Sequence, residues 1–341
     1  MSLQFDFSFE QRTLAESVGK LLQSFPPVNA HPPYAYAPGD VTGRLAAFGL
    51  FGEGAEGSPL GCADMVAVAL EVGRTVVAAP VAEALAACVA LSGANADLAE
   101  ALAAGKVVAV ASSGVLVEAG GRLSGELVVP HAGAAECVVA PIEREGVGSW
   151  TLIKASAAEM APAETMDITA AAARITVRSA NEVAELAPGA VSLDDALRLA
   201  VLAEIVGAAD AALARTVGYI SERKQFGKPI GSNQAVKHIA ADCAVAVETM
   251  KAAVEYAGWA LDAAREGGAM VDEARLALQS AASFVGEHGR KVAERCVQMH
   301  GGIAFTWDYG LHVPYRRLVF RTATLAGTRT AREALASHLL D

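Results

Sequence analysis

The sequence predicts an α+β chain that is mostly helical: helices first, a small β domain next, and a bundle of long helices last. Three observations predict this. Apolar residues recur at helical spacing through the first third of the chain, short Val-rich runs punctuated by glycine follow, and from Val191 the helical period returns and persists. The chain has 341 residues, more than the roughly 250–300 at which a single core stops growing, so more than one domain is expected. The domains are expected at residues 1–105 (helical), 106–183 (β) and 184–341 (helical bundle).

The first helix opens at Ser8, where Gln11 three places on completes a capping box and Leu14, Val18, Leu21 and Leu22 share one face. Pro26 and Pro27 end it and begin an irregular stretch to about Gly39. Helices are then predicted over Ala63–Thr75, Val81–Leu91 and Asp97–Ala104, with Gly73 and Pro80 as punctuation. Strands are predicted at Val107–Ala111, Val115–Glu118, Glu126–Val129, Glu136–Pro141, Trp150–Lys154 and Arg174–Arg178, with Gly120, Gly121, Gly125 and Gly133 between them. Long helices follow at Ser192–Glu222, Ser232–Arg265 and Val271–Met299, and a last one at Thr328–Leu340.

Composition narrows the function classes. Apolar residues make up 53% and charged residues 19%, which excludes charge-driven disorder. The formal net charge of −11 argues against a protein that tracks nucleic-acid phosphates, since that role needs a basic surface. Charges such as Glu71, Arg74 and Glu204 break the apolar runs, so no membrane span is expected. Met1–Phe9 lacks the basic segment and apolar core of a signal peptide. Five cysteines without a C-x-x-C pair suit reduced thiols in a cytoplasm, and neither a disulfide scaffold nor a zinc site. His131, His238, His288, His300 and His312 show no metal spacing and are read as core or capping residues. No G-x-G-x-x-G opens a helix, so a Rossmann site is not supported.

Three segments carry chemistry. Arg223-Lys224-Gln225-Phe226-Gly227-Lys228-Pro229-Ile230 places a guanidinium, an amide, an aromatic face and two ammonium groups in a turn between long helices. Such a turn can clamp a pyrophosphate and stack on an adenine, because Arg gives planar bidentate contacts to phosphate; the plainer reading is a solvated basic turn. Gln298-Met299-His300-Gly301-Gly302 offers glycines that let backbone approach an anion, with Gln298 about one helical turn earlier; the plainer reading is a helix C-cap. Ala326-Gly327-Thr328 precedes the last helix. Arg316, Arg317 and Arg321 can meet a ligand phosphate or simply be solvated near a helix end.

In this order, after a helical and then a β segment, these motifs resemble the acyl-CoA dehydrogenase family, as does Arg198-Leu-Ala-Val-Leu-Ala-Glu-Ile-Val-Gly207. The resemblance spans the chain in domain order and is motif-level from about residue 190 onward. It implies a C-terminal four-helix bundle, assembly as a dimer of dimers, and FAD held between the β domain and the bundle, with the neighbouring subunit supplying part of the dinucleotide site. By that resemblance Arg223, Gln225 and Phe226 would contact the pyrophosphate and adenine of FAD across a dimer interface, joined by Gln298, Gly301, Gly302, Thr328 and Gln234. It implies α,β-dehydrogenation of an acyl-CoA thioester, with a carboxylate taking the α proton and the flavin taking the β hydride, and an electron-transferring flavoprotein as acceptor.

The chain departs from the family where the base should stand. The family's Glu-Gly-Thr reads Ala326-Gly327-Thr328 here, and the alternative glutamate before the bundle arginine is Leu197. Glu204 and Asp194 are the acids near enough along the helix to substitute; Glu204 also reads as an interface carboxylate paired with an Arg, and Asp194 as a first-turn acid suiting the helix dipole. In the β domain, Ala111-Ser112-Ser113-Gly114 and Val128-Val129-Pro130-His131 stand where family members carry their local flavin motifs and a tryptophan. This pattern resembles the base-less partner of heteromeric acyl-CoA dehydrogenases in bacterial steroid side-chain degradation, where a homologous catalytic subunit supplies the base. The alternatives are a self-sufficient homo-oligomer with an atypical base, and a flavin-free structural homologue.

Overall fold

The computed structural model describes residues 5–26, 37–52, 60–91, 95–181, 184–186, 191–267, 270–324 and 327–340. Its order is five helices, a β region, then long helices. The helices are α1 (Phe9–Gln23), α2 (Pro38–Ala47), α3 (Cys62–Thr75), α4 (Val81–Leu91) and α5 (Ala96–Ala103), and later α6 (Leu193–Glu222), α7 (Gln234–Gly267), α8 (Val271–His300), α9 (His312–Thr324) and α10 (Thr328–Leu340). The strands are β1 (Val108–Val110), β2 (Ser113–Ala119), β3 (Arg122–Val129), β4 (Cys137–Arg144), β5 (Val147–Lys154), β6 (Glu159–Pro162), β7 (Ala173–Asn181) and β8 (Ala184–Leu186). A two-residue-per-strand hairpin, β9 (Lys224–Gln225) and β10 (Lys228–Pro229), joins α6 to α7.

The capping box forms as expected: the Gln11 N–H donates to Ser8 Oγ, and the Ser8 N–H donates to the Gln11 side chain. Helix α2 begins at Pro38, inside what the sequence suggested was irregular up to about Gly39; proline is tolerated in a first helical turn, where its missing N–H costs no helical bond. Helix α9 was not expected as a separate element. Its start at His312 follows Gly310 at φ 68° and carries Pro314 in its first turn, and the preceding Gly301–Phe305 turn is a short 3₁₀ segment.

The chain divides into two compact units that do not follow chain order. One contains α1, α3 and everything from Arg198 onward; the other contains α2, α4, α5, the strands and the chain up to Leu197.

In the helical unit the backbones of α3 and α6 come close at reciprocal glycines. A Cβ on Gly73 would stand 2.0 Å from the Glu204 carbonyl oxygen, and one on Gly207 would stand 2.0 Å from that of Leu70. Neither position tolerates a side chain without the helices moving apart. Asp262 of α7 reaches back across the sequence and accepts from the Cys62 and Ala63 N–H groups at 2.7 and 2.8 Å, so α3 receives its N-cap from a distant helix. A Cβ on Gly289 of α8 would meet Ile205 of α6 at 2.7 Å, so these two helices are also closely packed.

In the second unit the sheet order is β6-β7-β3-β2-β4-β5-β8. β1 and β2 both pair parallel with β4, β1 opposite its start and β2 opposite its end, and the other pairings are antiparallel. Alternating residues such as Leu116, Leu127, Val138, Ile142, Ile153 and Ile175 form its core. Every residue of α4 is buried, as expected for a helix apolar all round. Among the described residues no helix is long and apolar enough to cross a membrane.

Candidate functional site

The chemistry-bearing residues gather at one end of the helical unit, and helix α6 delivers them. Thr216, Tyr219 and Arg223 are spaced three and four apart, so they lie along one face of its last turns. The Arg223 N–H donates to the Tyr219 carbonyl at 2.8 Å, and the Ile230 N–H closes the hairpin by donating to the Arg223 carbonyl at 2.8 Å. Between those two bonds the chain makes its turn, with Phe226 at φ 52° and Gly227 at φ 80°. A positive φ is unusual for an aromatic residue and marks a turn held in one shape. The turn projects Phe226 into solvent with its side chain 100% exposed.

Helix α8 arrives beside it. Its last residue, His300, stacks on Tyr219 with ring centroids 4.5 Å apart and planes 20° apart. Tyr309 packs against both rings, with Arg215 over its face at 4.2 Å. Immediately after His300, Gly301 ends the helix at φ 68°, so the plainer C-cap reading of this glycine holds. Nothing lies within 4 Å of where a Cβ would stand on Gly301 or Gly302, so their backbone faces open space. Gln298 is exposed one turn back.

The residues at this end fit an anionic, aromatic-containing dinucleotide. Arg223, Lys224 and Lys228 have no carboxylate partner among the described residues, although the chain as a whole is acidic. Gln225, Gln234 and Gln298 are exposed amides without hydrogen-bond partners among the described residues. Gln234 is the first residue of α7. Unpaired cations, free amides, a fully exposed phenyl ring and two open glycines form a donor set for phosphate and a face for a base. Thr328 differs. Its hydroxyl is buried against α8, so near Gly286 that a Cβ there would stand 1.8 Å from Oγ1, and it has no partner among the described residues.

Two positions far apart in the sequence meet in the helical unit. The Arg198 guanidinium lies against the backbone of Gly327, its Nε 3.1 Å and Cζ 3.3 Å from where a Cβ would stand. Leu197, the residue before that arginine, is 5% exposed. Ala326, before that glycine, lies outside the described residues.

The two substitute acids have other partners. Glu204 is 1% exposed, with Oε1 3.1 Å from Arg317 Nη1 and Oε2 3.1 Å from Arg321 Nε. Arg317 also donates to the Val77 carbonyl at 2.7 Å. Arg317 and Arg321 are four apart on α9, so both reach the same carboxylate; this corrects the expectation that they meet a ligand phosphate or stand solvated near a helix end. Arg316 instead lies over Trp307 at 5.4 Å. Asp194 is exposed in the first turn of α6 and accepts from the Trp150 indole at 3.3 Å. Ser192 caps the same helix, accepting from the Asp195 N–H at 3.1 Å.

Sequence reasoning treated His300 as a core residue and passed over Tyr219, Tyr309 and Arg215. The signal was present in the spacing of Thr216, Tyr219 and Arg223, but the stack depends on a helix far along the chain. Burial pushes the His300 imidazole below its ordinary value, assisted by Arg215, while Nδ1–H donates to the Cys296 carbonyl at 2.8 Å. Among the described residues no group of His, Cys, Asp and Glu could hold a metal ion.

Comparison with known proteins identifies the family. Residues 195–335 match the family model for the acyl-CoA dehydrogenase C-terminal domain. The acyl-CoA dehydrogenase IpdE2 of Mycobacterium tuberculosis is 32% identical over 279 residues, covering 82% of this chain and 78% of that protein. Longer relatives are spanned only in part, 39% of one of them. The structure superposes on a chain of the ChsE4–ChsE5 complex from Mycobacterium tuberculosis with a TM-score of 0.82 at 20% identity, covering 99% of both chains. It superposes on a chain of the Tcur3481–Tcur3483 steroid acyl-CoA dehydrogenase with a TM-score of 0.76 at 25% identity, covering 97% of both. The chain therefore belongs to the acyl-CoA dehydrogenase family, whose members are FAD-dependent oxidoreductases.

Proposed function

We propose that this chain is the subunit of a heteromeric acyl-CoA dehydrogenase that lends FAD contacts to a homologous catalytic partner and supplies no base itself. One observation carries the reading: the two positions at which the family resemblance would place a base hold Leu197 and Ala326 in the sequence, and neither side chain can accept a proton. Glu204 cannot stand in, because both its oxygens face buried guanidiniums. Asp194 is exposed in the first turn of its helix and accepts from the Trp150 indole through one oxygen.

The binding half is intact. Arg223 would hold the diphosphate of FAD, with backbone at Gly301 and Gly302 and the Gln298 amide on the same group. Phe226 and Gln225 would meet the adenine, and Gln234 would lie near it at the start of α7. Thr328 would act through its backbone N–H at the start of α10, since its hydroxyl is turned onto α8. FAD, when bound, accepts the hydride from the β carbon of the thioester. The residues of this chain hold and orient the dinucleotide and leave proton removal to the partner.

The similarity to chains of two-component complexes, one of them a steroid acyl-CoA dehydrogenase, supports a hetero-oligomer acting on a bulky, steroid-derived CoA thioester. An electron-transferring flavoprotein in the cytoplasm is the acceptor the family provides. The visible absorption spectrum tests the reading. The chain purified alone is expected to be colourless and inactive, and yellow and active when co-expressed with its catalytic partner. A chain that is yellow alone and bleaches with an acyl-CoA would refute it.

A further inference from the structure

We infer that the stacked rings of Tyr219 and His300 form a positioning pair that sets the spacing between the Arg223–Phe226 hairpin and the Gly301–Gly302 turn. The inference rests on the reading of those two segments as FAD contacts. Neither ring belongs to the dinucleotide-contacting set; each sits directly behind one half of it.

The connection on the α6 side is covalent and short. Tyr219 is four residues before Arg223, and its carbonyl accepts the Arg223 N–H, the hydrogen bond that ends the helix. Moving the Tyr219 ring therefore moves the start of the hairpin. On the α8 side His300 immediately precedes Gly301, whose own N–H is tied back to the Gln298 and Val297 carbonyls. A rotation of His300 turns the backbone of the two open glycines.

The rings are themselves fixed. His300 is 4% exposed, and its Nδ1–H donates to the Cys296 carbonyl one turn back, which fixes which ring nitrogen carries the proton. Thr216 Oγ1, from α6, stands 3.5 Å from the same nitrogen. Tyr309 closes the stack at 5.3 Å from His300, and Arg215 donates to the Tyr309 carbonyl while covering its ring. Ala208 and Ala212 of α6 and Ala293, Cys296 and Val297 of α8 line a common gap, and at Gly289 the two helices are closely packed against Ile205. That packing sets their spacing along their length, and the stacked rings set it at their ends.

Positioning of this kind matters because a diphosphate must be met by both halves at once. A guanidinium displaced by about 1 Å loses much of a bidentate contact. The test titrates FAD into the purified chain with the partner that co-purifies on its tag, following flavin fluorescence, for wild type, Tyr219→Leu, Tyr219→Phe, Arg223→Ala and the Tyr219→Leu/Arg223→Ala double variant. Tyr219→Leu is expected to weaken FAD binding about tenfold, Tyr219→Phe to leave it near wild type, and Tyr219→Leu to add little once Arg223 is gone. An unchanged affinity for Tyr219→Leu, or effects of Tyr219→Leu and Arg223→Ala that add in full, would overturn the inference while leaving the FAD-contact reading in place. An Arg223→Ala variant that binds FAD as wild type does would overturn that reading first, and the inference with it. If Tyr219→Leu loses its cooperative unfolding transition, His300→Gln, which removes the other ring, is judged by the same criteria.

Discussion

Replacing Glu204 by alanine separates structure from catalysis in this chain. The carboxylate stands between two guanidiniums that are themselves 1–2% exposed, at 3.1 Å from each. At an effective dielectric near 20, each pair represents about 5 kcal/mol of Coulomb attraction, partly offset by the cost of removing three charges from water. Deleting the carboxylate recovers only its own hydration and leaves two positive groups facing each other. Breaking a buried pair costs about 3–5 kcal/mol, and because two cations are stranded here the upper part of that range is expected. Urea denaturation followed by far-UV circular dichroism measures the loss as a lower midpoint. Glu204→Gln retains volume and one acceptor and should lose somewhat less. A Glu204→Gln protein with an unchanged midpoint, but with turnover of the complex abolished, would refute the reasoning and restore Glu204 as a base.

Three further outcomes are expected. Gly207→Ala puts a methyl group 2.0 Å from the Leu70 carbonyl oxygen, so α3 and α6 must separate; about 1–3 kcal/mol of stability should be lost in thermal unfolding, and an unchanged melting temperature would mean the helices are not in backbone contact. Phe226→Ser removes a fully exposed ring, so unfolding should stay within about 0.5 kcal/mol of wild type while the FAD content of the complex falls. Burial holds the His300 imidazole below its ordinary value of 6.5, so the unfolded chain takes up that proton first. Its contribution therefore weakens the fold as pH drops through 6.5 toward the lower folded value, by at most about 1.4 kcal/mol per pH unit. Chemical denaturation at about pH 7.5 and about pH 5.5 should show a smaller decline for His300→Gln than for wild type, and equal declines would remove His300 from the acid sensitivity.

Much of the fold was legible because local patterns and tertiary environment agree. The alternation in Glu126–Val129 matches its side-by-side burial, and the capping box at Ser8 needs no partner outside its own turn. The period from Ser192 to Glu222 survives in one unbroken helix. What escaped were features whose cause lies far along the chain. Helix α9 carries Arg316, Arg317 and Arg321, which read as a solvated basic group until Glu204 is placed opposite two of them. The alternative reading of Glu204, an interface carboxylate paired with arginine, was stated from sequence; which arginines it meets was not, since nothing local distinguishes them.

The base positions show the same limit from the other side. In the sequence, Leu197 and Ala326 are separate positions, and an acid at one would offset an apolar residue at the other. The structure places Arg198, next after Leu197 in the sequence, against the backbone of Gly327. By the family resemblance an acid at either base position would serve, and in the sequence both are apolar. Under the proposed reading, a chain whose Arg223, Lys224 and Lys228 have no carboxylate partner among the described residues, and whose two family base positions are apolar, keeps what a neighbouring active site can use and lacks what only its own would need. Selection for self-sufficient turnover would have kept one acid, and selection for the fold alone would have had no reason to hold Phe226 fully exposed on a positive-φ turn beside unpaired Arg223. The combination is the one that the proposed supporting subunit would require.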